Sequence, residues 1–291
     1  MTDEVGAAAS PAEAPTCYRH PDRVSYIRCQ RCERHICVPC QSQAPVGVLC
    51  PECVSPRNAG GQPGPWAPPV RLGSDAPVVT YTLIGLNVLV YLLQWIPGLN
   101  LTNAFAYAPF YSFGEYGAVG APYEPWRMLT SVFTHSTGFV FHILLNMYTL
   151  WIFGQILERM LGRGRFLALY LISGIAGSVG VMFWAEHDTF VVGASGAIFG
   201  LLGAFLVIQR KLGGDTSQLL ILVAINLVIG FLPGMSVAWQ AHLGGLIGGA
   251  LVGLTYVQTR QRSQRSLQIG IISLIALALV VLSLSHAPAF V

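Results

Sequence analysis

Seven stretches of this chain run without a single Asp, Glu, Lys or Arg: Val78–Ile96, Phe139–Leu157, Phe166–Trp184, Ala194–Ile208, Leu219–Leu232, Val237–Val257 and Leu267–Ser285. A helix needs about 20 residues to cross a bilayer, within a range of about 17 to 25. Five of the seven stretches reach that range. Ala194–Ile208 and Leu219–Leu232 are shorter, and are expected to start below the membrane surface or to lie sheltered by their neighbours. A large soluble core would instead need charged faces on most of its helices, and these stretches have none. Charged residues make up 10% of the chain, where a soluble domain carries roughly 25%. The pattern predicts an all-α polytopic membrane protein.

The net charge of +3 is less informative than its placement. Arg159, Arg163 and Arg165 follow the second stretch, Arg210 and Lys211 the fourth, and Arg260, Arg262 and Arg265 the sixth. The alternate loops carry Glu115, Glu124, Glu186 and Asp188, with Arg127 as their one basic residue. Basic loops stay cytoplasmic. The N-terminus is therefore expected inside and, after seven spans, the C-terminus outside. The opening MTDEVGAAAS is acidic and lacks the apolar core of a signal peptide. Short loops and no targeting peptide point to a bacterial plasma membrane.

All seven cysteines lie between residues 17 and 53. With one histidine they form four pairs of the same spacing: Cys17 with His20, Cys29 with Cys32, Cys37 with Cys40, and Cys50 with Cys53. Eight ligands suit two tetrahedral zinc sites of structural type. Disulfides fit poorly in a segment assigned to the cytoplasm. A cross-braced order would place Cys17, His20, Cys37 and Cys40 in one site and Cys29, Cys32, Cys50 and Cys53 in the other, with His35 as a competing ligand. The segment from 15 to 55 resembles a B-box zinc finger over about forty residues. Arg19, Arg23, Arg28, Arg31 and Arg34 make it basic. Nucleic acid, acidic lipid and protein are all conceivable partners. Docking of a cytoplasmic protein, or no direct catalytic role, is the favoured expectation over nucleic acid. Residues 56 to 76 are rich in Pro and Gly and read as a semi-rigid linker, followed by a membrane domain over 77 to 286.

Of the seven histidines, His142 and His242 alone fall inside apolar stretches. Ionisable groups there are expensive and functional by default, although a histidine can also serve only to pack helices together. His142 and Asn146 stand four apart and share one helix face. Ser195 sits in GASGAIFG, and His242 in AHLGGLIGG. The pairs Gly196 with Gly200 and Gly245 with Gly249 let two membrane helices approach closely. A serine and a histidine on different helices must come within about 3 Å for the histidine to act as base. The set is complete for acyl transfer. Ser195 is the candidate nucleophile and His242 the base. The oxyanion donors are the Ser195 N–H and the side chains of His142 and Asn146, each worth about 3 kcal/mol in other hydrolases. No carboxylate lies in any stretch to orient His242, so the expectation is a dyad, with Phe199 one turn after Ser195 placed to pack on the imidazole.

The motifs GASGAIFGLLGA, HILLN and AHLGGLIGG, with Trp126-Arg127 before the second span, resemble those of the rhomboid intramembrane serine proteases over about residues 78 to 257. The resemblance implies a six-helix core, here with a seventh helix, and cleavage of transmembrane protein substrates in the bilayer without a catalytic metal or organic cofactor. It implies a Ser195–His242 dyad, with His142 and Asn146 at the oxyanion hole. Gly193, Gly196, Gly245 and Gly249 take supporting positions. Trp126 and Arg127 would hold the aromatic segment 97 to 126 at the outer interface. The family often carries a histidine five residues before the oxyanion one. Here His135 is seven before His142, and no role is assigned to it. Phe199 stands where some members have tyrosine. A non-catalytic relative would be expected to lack the serine or the histidine. A proton-relay transporter would need carboxylates at depth or inverted repeats.

Overall fold

The computed structural model describes residues 14–43, 47–54, 76–113, 122–229 and 237–284. The expected linker 56–76, save Ala76, lies outside the described residues. So do Glu115, Tyr116, Leu232 and Ser285. The chain forms two compact units, residues 1–71 and 72–291.

In the first unit, β1 (Thr16–Cys17) pairs antiparallel with β2 (His20–Val24), β3 (Ser42–Gln43) pairs with β4 (Val48–Leu49), and one turn of helix, α1 (Pro51–Val54), follows. Strands this short cannot bury a core of their own. The buried cluster is made of Cys17, Cys29, Cys37, Cys40 and Cys50 around a single aliphatic residue, Ile36.

In the second unit the described elements are all helical: α2 (Val78–Gln94), α3 (Leu101–Phe105), α4 (Phe110–Phe113), α5 (Arg127–Thr130), α6 (Val140–Leu161), α7 (Arg163–Trp184), α8 (Ser195–Lys211), α9 (Ser217–Ile229), α10 (Trp239–Gln258) and α11 (Arg265–Leu284). All seven uncharged stretches become helices, a six-helix core with α11 as the seventh. Several helices run past the uncharged stretch. α6 continues over Glu158 and Arg159, and α7 begins at Arg163. The helical hydrogen-bond ladder has no reason to stop where charge begins. Glu158 is used at that end: it is buried, and its carboxylate accepts bonds from the N–H groups of Val79 and Thr80 and from the Thr80 hydroxyl at 2.7–2.9 Å. It caps the first turn of α2 from a neighbouring helix.

Among the described residues α6, α7 and α11 are long and apolar enough to cross a membrane by themselves, and α2, at 17 residues, is a shorter apolar helix. α8 and α10 are rich in glycine and sit inside the bundle. Ten residues of each are buried, and the face of a helix that meets other helices need not be greasy. α11 packs against α7 and α10 but leaves most of its surface open to lipid. Near its N-terminal end Gln268 donates to Thr259 of the α10 terminus and accepts from Arg165 of α7.

The α7–α8–α10 centre is held at backbone distance. A methyl group at Gly177 would lie 2.9 Å from the Ala241 carbonyl oxygen, and one at Gly180 would lie 2.5 Å from that of Gln240. Gly245 abuts the Gly196 carbonyl and Gly249 abuts that of Gly200, closer than any side chain permits. Glycine here is a requirement of approach, as the spacing anticipates.

Gly249→Leu is therefore expected to destabilise the protein by at least about 2 kcal/mol through overpacking. Gly270→Leu, where a side chain meets nothing within 4 Å, is expected to unfold like the parent in a detergent thermal melt.

Candidate active site

α6, α8 and α10 begin at the same end of the core. Each brings an expected site residue in its first turn: His142 is the third residue of α6, Ser195 the first of α8 and His242 the fourth of α10. Ser195 is half-buried, and His242 is buried. The two stand beside the tightest part of the seam. Gly196, next to Ser195, faces the carbonyl of Ala241, next to His242. One turn on, Phe199 stacks on the His242 ring, centroids 4.1 Å apart and planes 10° from parallel.

His142 reaches the same place from α6. Gly193 adopts φ +121°, a conformation L side chains rarely enter, and a methyl group there would lie 2.8 Å from Cε1 and Nε2 of His142. Gly193 is needed for two independent reasons: its dihedral and the imidazole packed on its Cα. The Gly193 N–H donates to the Ser131 carbonyl at 2.9 Å, which ties the loop before Ser195 to the protein. The Ser136 N–H donates to His142 Nδ1 at 3.2 Å. With Nδ1 an acceptor, the neutral ring carries its proton on Nε2, the atom against Gly193. Asn146 is buried, and its amide donates to the His142 carbonyl at 2.7 Å, one turn back.

His135, given no role from sequence, lies fully buried beside His142, ring centroids 5.2 Å apart. Its backbone is held on both sides by Gln94 of α2, at 2.9 and 3.0 Å. Spacing from His142 was the available sequence signal for it. A non-helical run, 134–139, folds back and makes that spacing a poor guide.

Trp126 and Arg127 separate in role. Arg127 is buried, pairs with Glu124, donates to the carbonyls of Asn103 and Ala106 at 2.6 and 3.1 Å, and lies over the Tyr111 ring at 4.0 Å. Trp126 is 56% exposed and suits an interfacial anchor. The aromatic segment they follow is less superficial than expected. Tyr107 is fully buried with Met128, Val179, Val181 and Met182, and it exchanges two backbone bonds with Val191, two residues before Gly193, at 2.7 and 3.1 Å.

The first unit carries two ligand clusters, Cys17/His20/Cys37/Cys40 and Cys29/Cys32/Cys50/Cys53, in the cross-braced order. Tetrahedral zinc with bonds of about 2.3 Å to sulfur and about 2.0 Å to nitrogen separates its ligand atoms by about 3.5–3.8 Å. Here His20 Nδ1 lies 3.8, 3.4 and 3.3 Å from the sulfurs of Cys17, Cys37 and Cys40, and Cys32 lies 3.8 Å from Cys50. The donor sets fit a metal ion of that size. His35 belongs to neither cluster. Arg34 donates to Cys32 Sγ at 3.3 Å and to Glu52 at 2.6 Å. Burial raises the Cys32 thiol, but the hydrogen bonds to its sulfur, from the Arg34 side chain and backbone and from Cys29 and Cys53, together outweigh it and hold the group at about 7.

The sequence profile of the Rhomboid domain matches residues 122–259, which contain every expected residue of the membrane site. A Bacillus subtilis protein of the same kind, YdcA, is 36% identical over 191 residues, 64% of this chain and 92% of that protein. The chain belongs to the rhomboid family. Rhomboid protease GluP of Bacillus subtilis is 36% identical over 178 residues, 60% of this chain but 34% of its own length. Rhomboid protease AarA of Providencia stuartii is 29% identical over 216 residues, 64% of this chain and 75% of its own. This rhomboid thus spans about a third of GluP and most of YdcA and AarA. Relatives that carry the name of protease support a proteolytic activity in the membrane.

Gly193→Ala should cost about 1–2 kcal/mol from its dihedral alone and push the His142 ring aside. The measurements are the thermal midpoint and the histidine ring nitrogen shifts by NMR. An unchanged His142 signal would remove Gly193 from the site.

Proposed function

We propose that the chain is an intramembrane serine endopeptidase that cleaves transmembrane segments of membrane proteins, with Ser195 as nucleophile and His242 as general base. The observation that carries this reading is the Phe199–His242 stack on the Gly196–Ala241 seam, which holds an imidazole beside a helix that starts on a serine. Ser195 Oγ attacks the scissile carbonyl carbon as His242 takes the hydroxyl proton. The tetrahedral intermediate collapses to an acyl-enzyme, and the imidazolium gives that proton to the leaving amine. Water, activated by the same imidazole, then releases the acyl group and restores Ser195.

The oxyanion is held by the Ser195 N–H, one of the unpaired donors of a helix start, by His142 Nε2–H and by the second amide hydrogen of Asn146. Three helices that start together turn their positive dipole ends toward that charge. No catalytic metal or organic cofactor is required. Gly193 and Gly196 keep space beside the nucleophile, Gly245 and Gly249 set the approach of its base, and Trp126 and Arg127 secure the outer segment. Ser195→Ala and His242→Ala should each abolish cleavage of a transmembrane substrate in proteoliposomes, and His142→Ala should lower kcat by about 10²-fold. Cleavage that survives Ser195→Ala would refute the assignment.

The same reading divides the chain into a zinc finger at 15–55, a tether at 56–76 and a protease domain at 77–286. It puts the C-terminus outside the plasma membrane and the N-terminus in the cytoplasm, the side on which a cytoplasmic protein could meet the finger. Zinc is the metal the thiolate-rich ligand sets select. Its chemistry there is structural: the ion supplies the crosslink that the short strands lack. The purified chain should contain two zinc ions. Cys29→Ser should leave one and render residues 15–55 protease-sensitive while the membrane helices keep their circular dichroism. Full zinc content in that variant would overturn the ligand set.

A further inference from the structure

Tyr18, Val48 and Leu49 pack on the core of the finger, but four of its larger apolar side chains turn outward. Ile36 is buried at the centre, while Val24, Tyr26, Ile27 and Val38 are 56%, 74%, 45% and 76% exposed. These four line one shallow groove with Arg23 and Pro39. The arrangement is held from within. Between Val24 and Tyr26, Ser25 is buried and donates to the Ile36 carbonyl at 2.6 Å, and the Ile36 N–H donates to the Ile27 carbonyl at 2.8 Å. The segment is pinned by its polar middle, and its apolar residues are left to project. Since cysteine ligands form the core, folding gives no reason for this patch, and exposed apolar clusters mark interaction surfaces.

Charge selects the partner. Around the patch the chain carries Arg19 at the turn before Val24's strand, Arg23 in the groove and Arg28 after Ile27, all exposed, against Asp22 alone. Protruding apolar side chains among arginines suit insertion into an interface of anionic headgroups, where apolar tips enter the acyl boundary and guanidinium groups stay with phosphate. A peptide ligand would instead want an enclosed cleft. The covalent chain adds a second argument. From Val54 to Ala76, 22 peptide bonds reach at most about 80 Å, so the finger cannot leave the neighbourhood of the bilayer that holds the helices. We infer that the finger docks on the anionic lipid surface of that bilayer through Val24, Tyr26, Ile27 and Val38, with Arg23 and Arg28 on the headgroups. The inference does not depend on the proteolytic reading.

The test is hydrogen–deuterium exchange on the full chain in nanodiscs of phosphatidylcholine, with and without phosphatidylglycerol. At a tethered concentration of about 1 mM, a surface affinity of only about 0.1 mM keeps the finger docked nine-tenths of the time and slows exchange about tenfold. That slowing is expected in peptides covering residues 21–28 and 37–41, in anionic discs only, and relieved by salt. Tyr26→Ser with Val38→Ser should abolish it at unchanged metal content. If that variant loses metal, Arg23→Gln with Arg28→Gln supplies the same readout without touching the apolar residues. Equal exchange in both lipids overturns the inference. So does slowing that follows addition of a soluble cytoplasmic protein fraction and not a change of lipid.

Discussion

The contact between α8 and α10 is made of backbone. Where Gly196 meets Gly245 and Gly200 meets Gly249, nothing stands between one helix and the carbonyl oxygens of the other. In a bilayer, where apolar burial between helices gains little, this close approach and the dispersion it allows are a main source of association. The distance it sets is also the distance available to Ser195 and His242. A methyl group added at the seam would separate the helices, and the site with them.

Around that seam the remaining polar groups act as fasteners. Glu158 closes the open start of α2 from α6. Gln268 joins α11 to α7 and α10. Arg127 gathers the segment around Asn103 and Ala106, and the Tyr107–Val191 pairing carries that order to within two residues of Gly193. Each satisfies buried backbone or carboxylate groups that would otherwise be costly away from water. In the smaller unit thiolates take this part, since there is too little apolar surface to close a core.

Much of this was legible in the sequence. Freedom from charge marked every long helix, because the bilayer demands it. The fourfold repeat of ligand spacing marks the ligand pairs, but the cross-braced way in which they converge is set by the fold and not by spacing. Small residues four apart announced the seam. Helix ends are not legible in the same way, since a charged residue such as Glu158 can be buried by a partner remote in sequence. His135 escaped because an irregular turn, not a helix, sets its distance from His142. The different fates of Trp126 and Arg127, and the outward turn of Val24 and Tyr26, depend on which side chain a neighbour covers, and residue type does not carry that.

Placing the critical contacts on the main chain has a consequence for how such a protein can vary. The lipid-facing sides of α2, α6 and α11 hold residues such as Leu89, Leu92, Tyr148, Trp151, Leu274 and Val281, all well exposed. None of them touches the seam. They are free to drift toward longer or shorter, stiffer or softer side chains as membrane thickness and composition change. The chain can be refitted to a new bilayer from the outside while the register of its interior stays as it was.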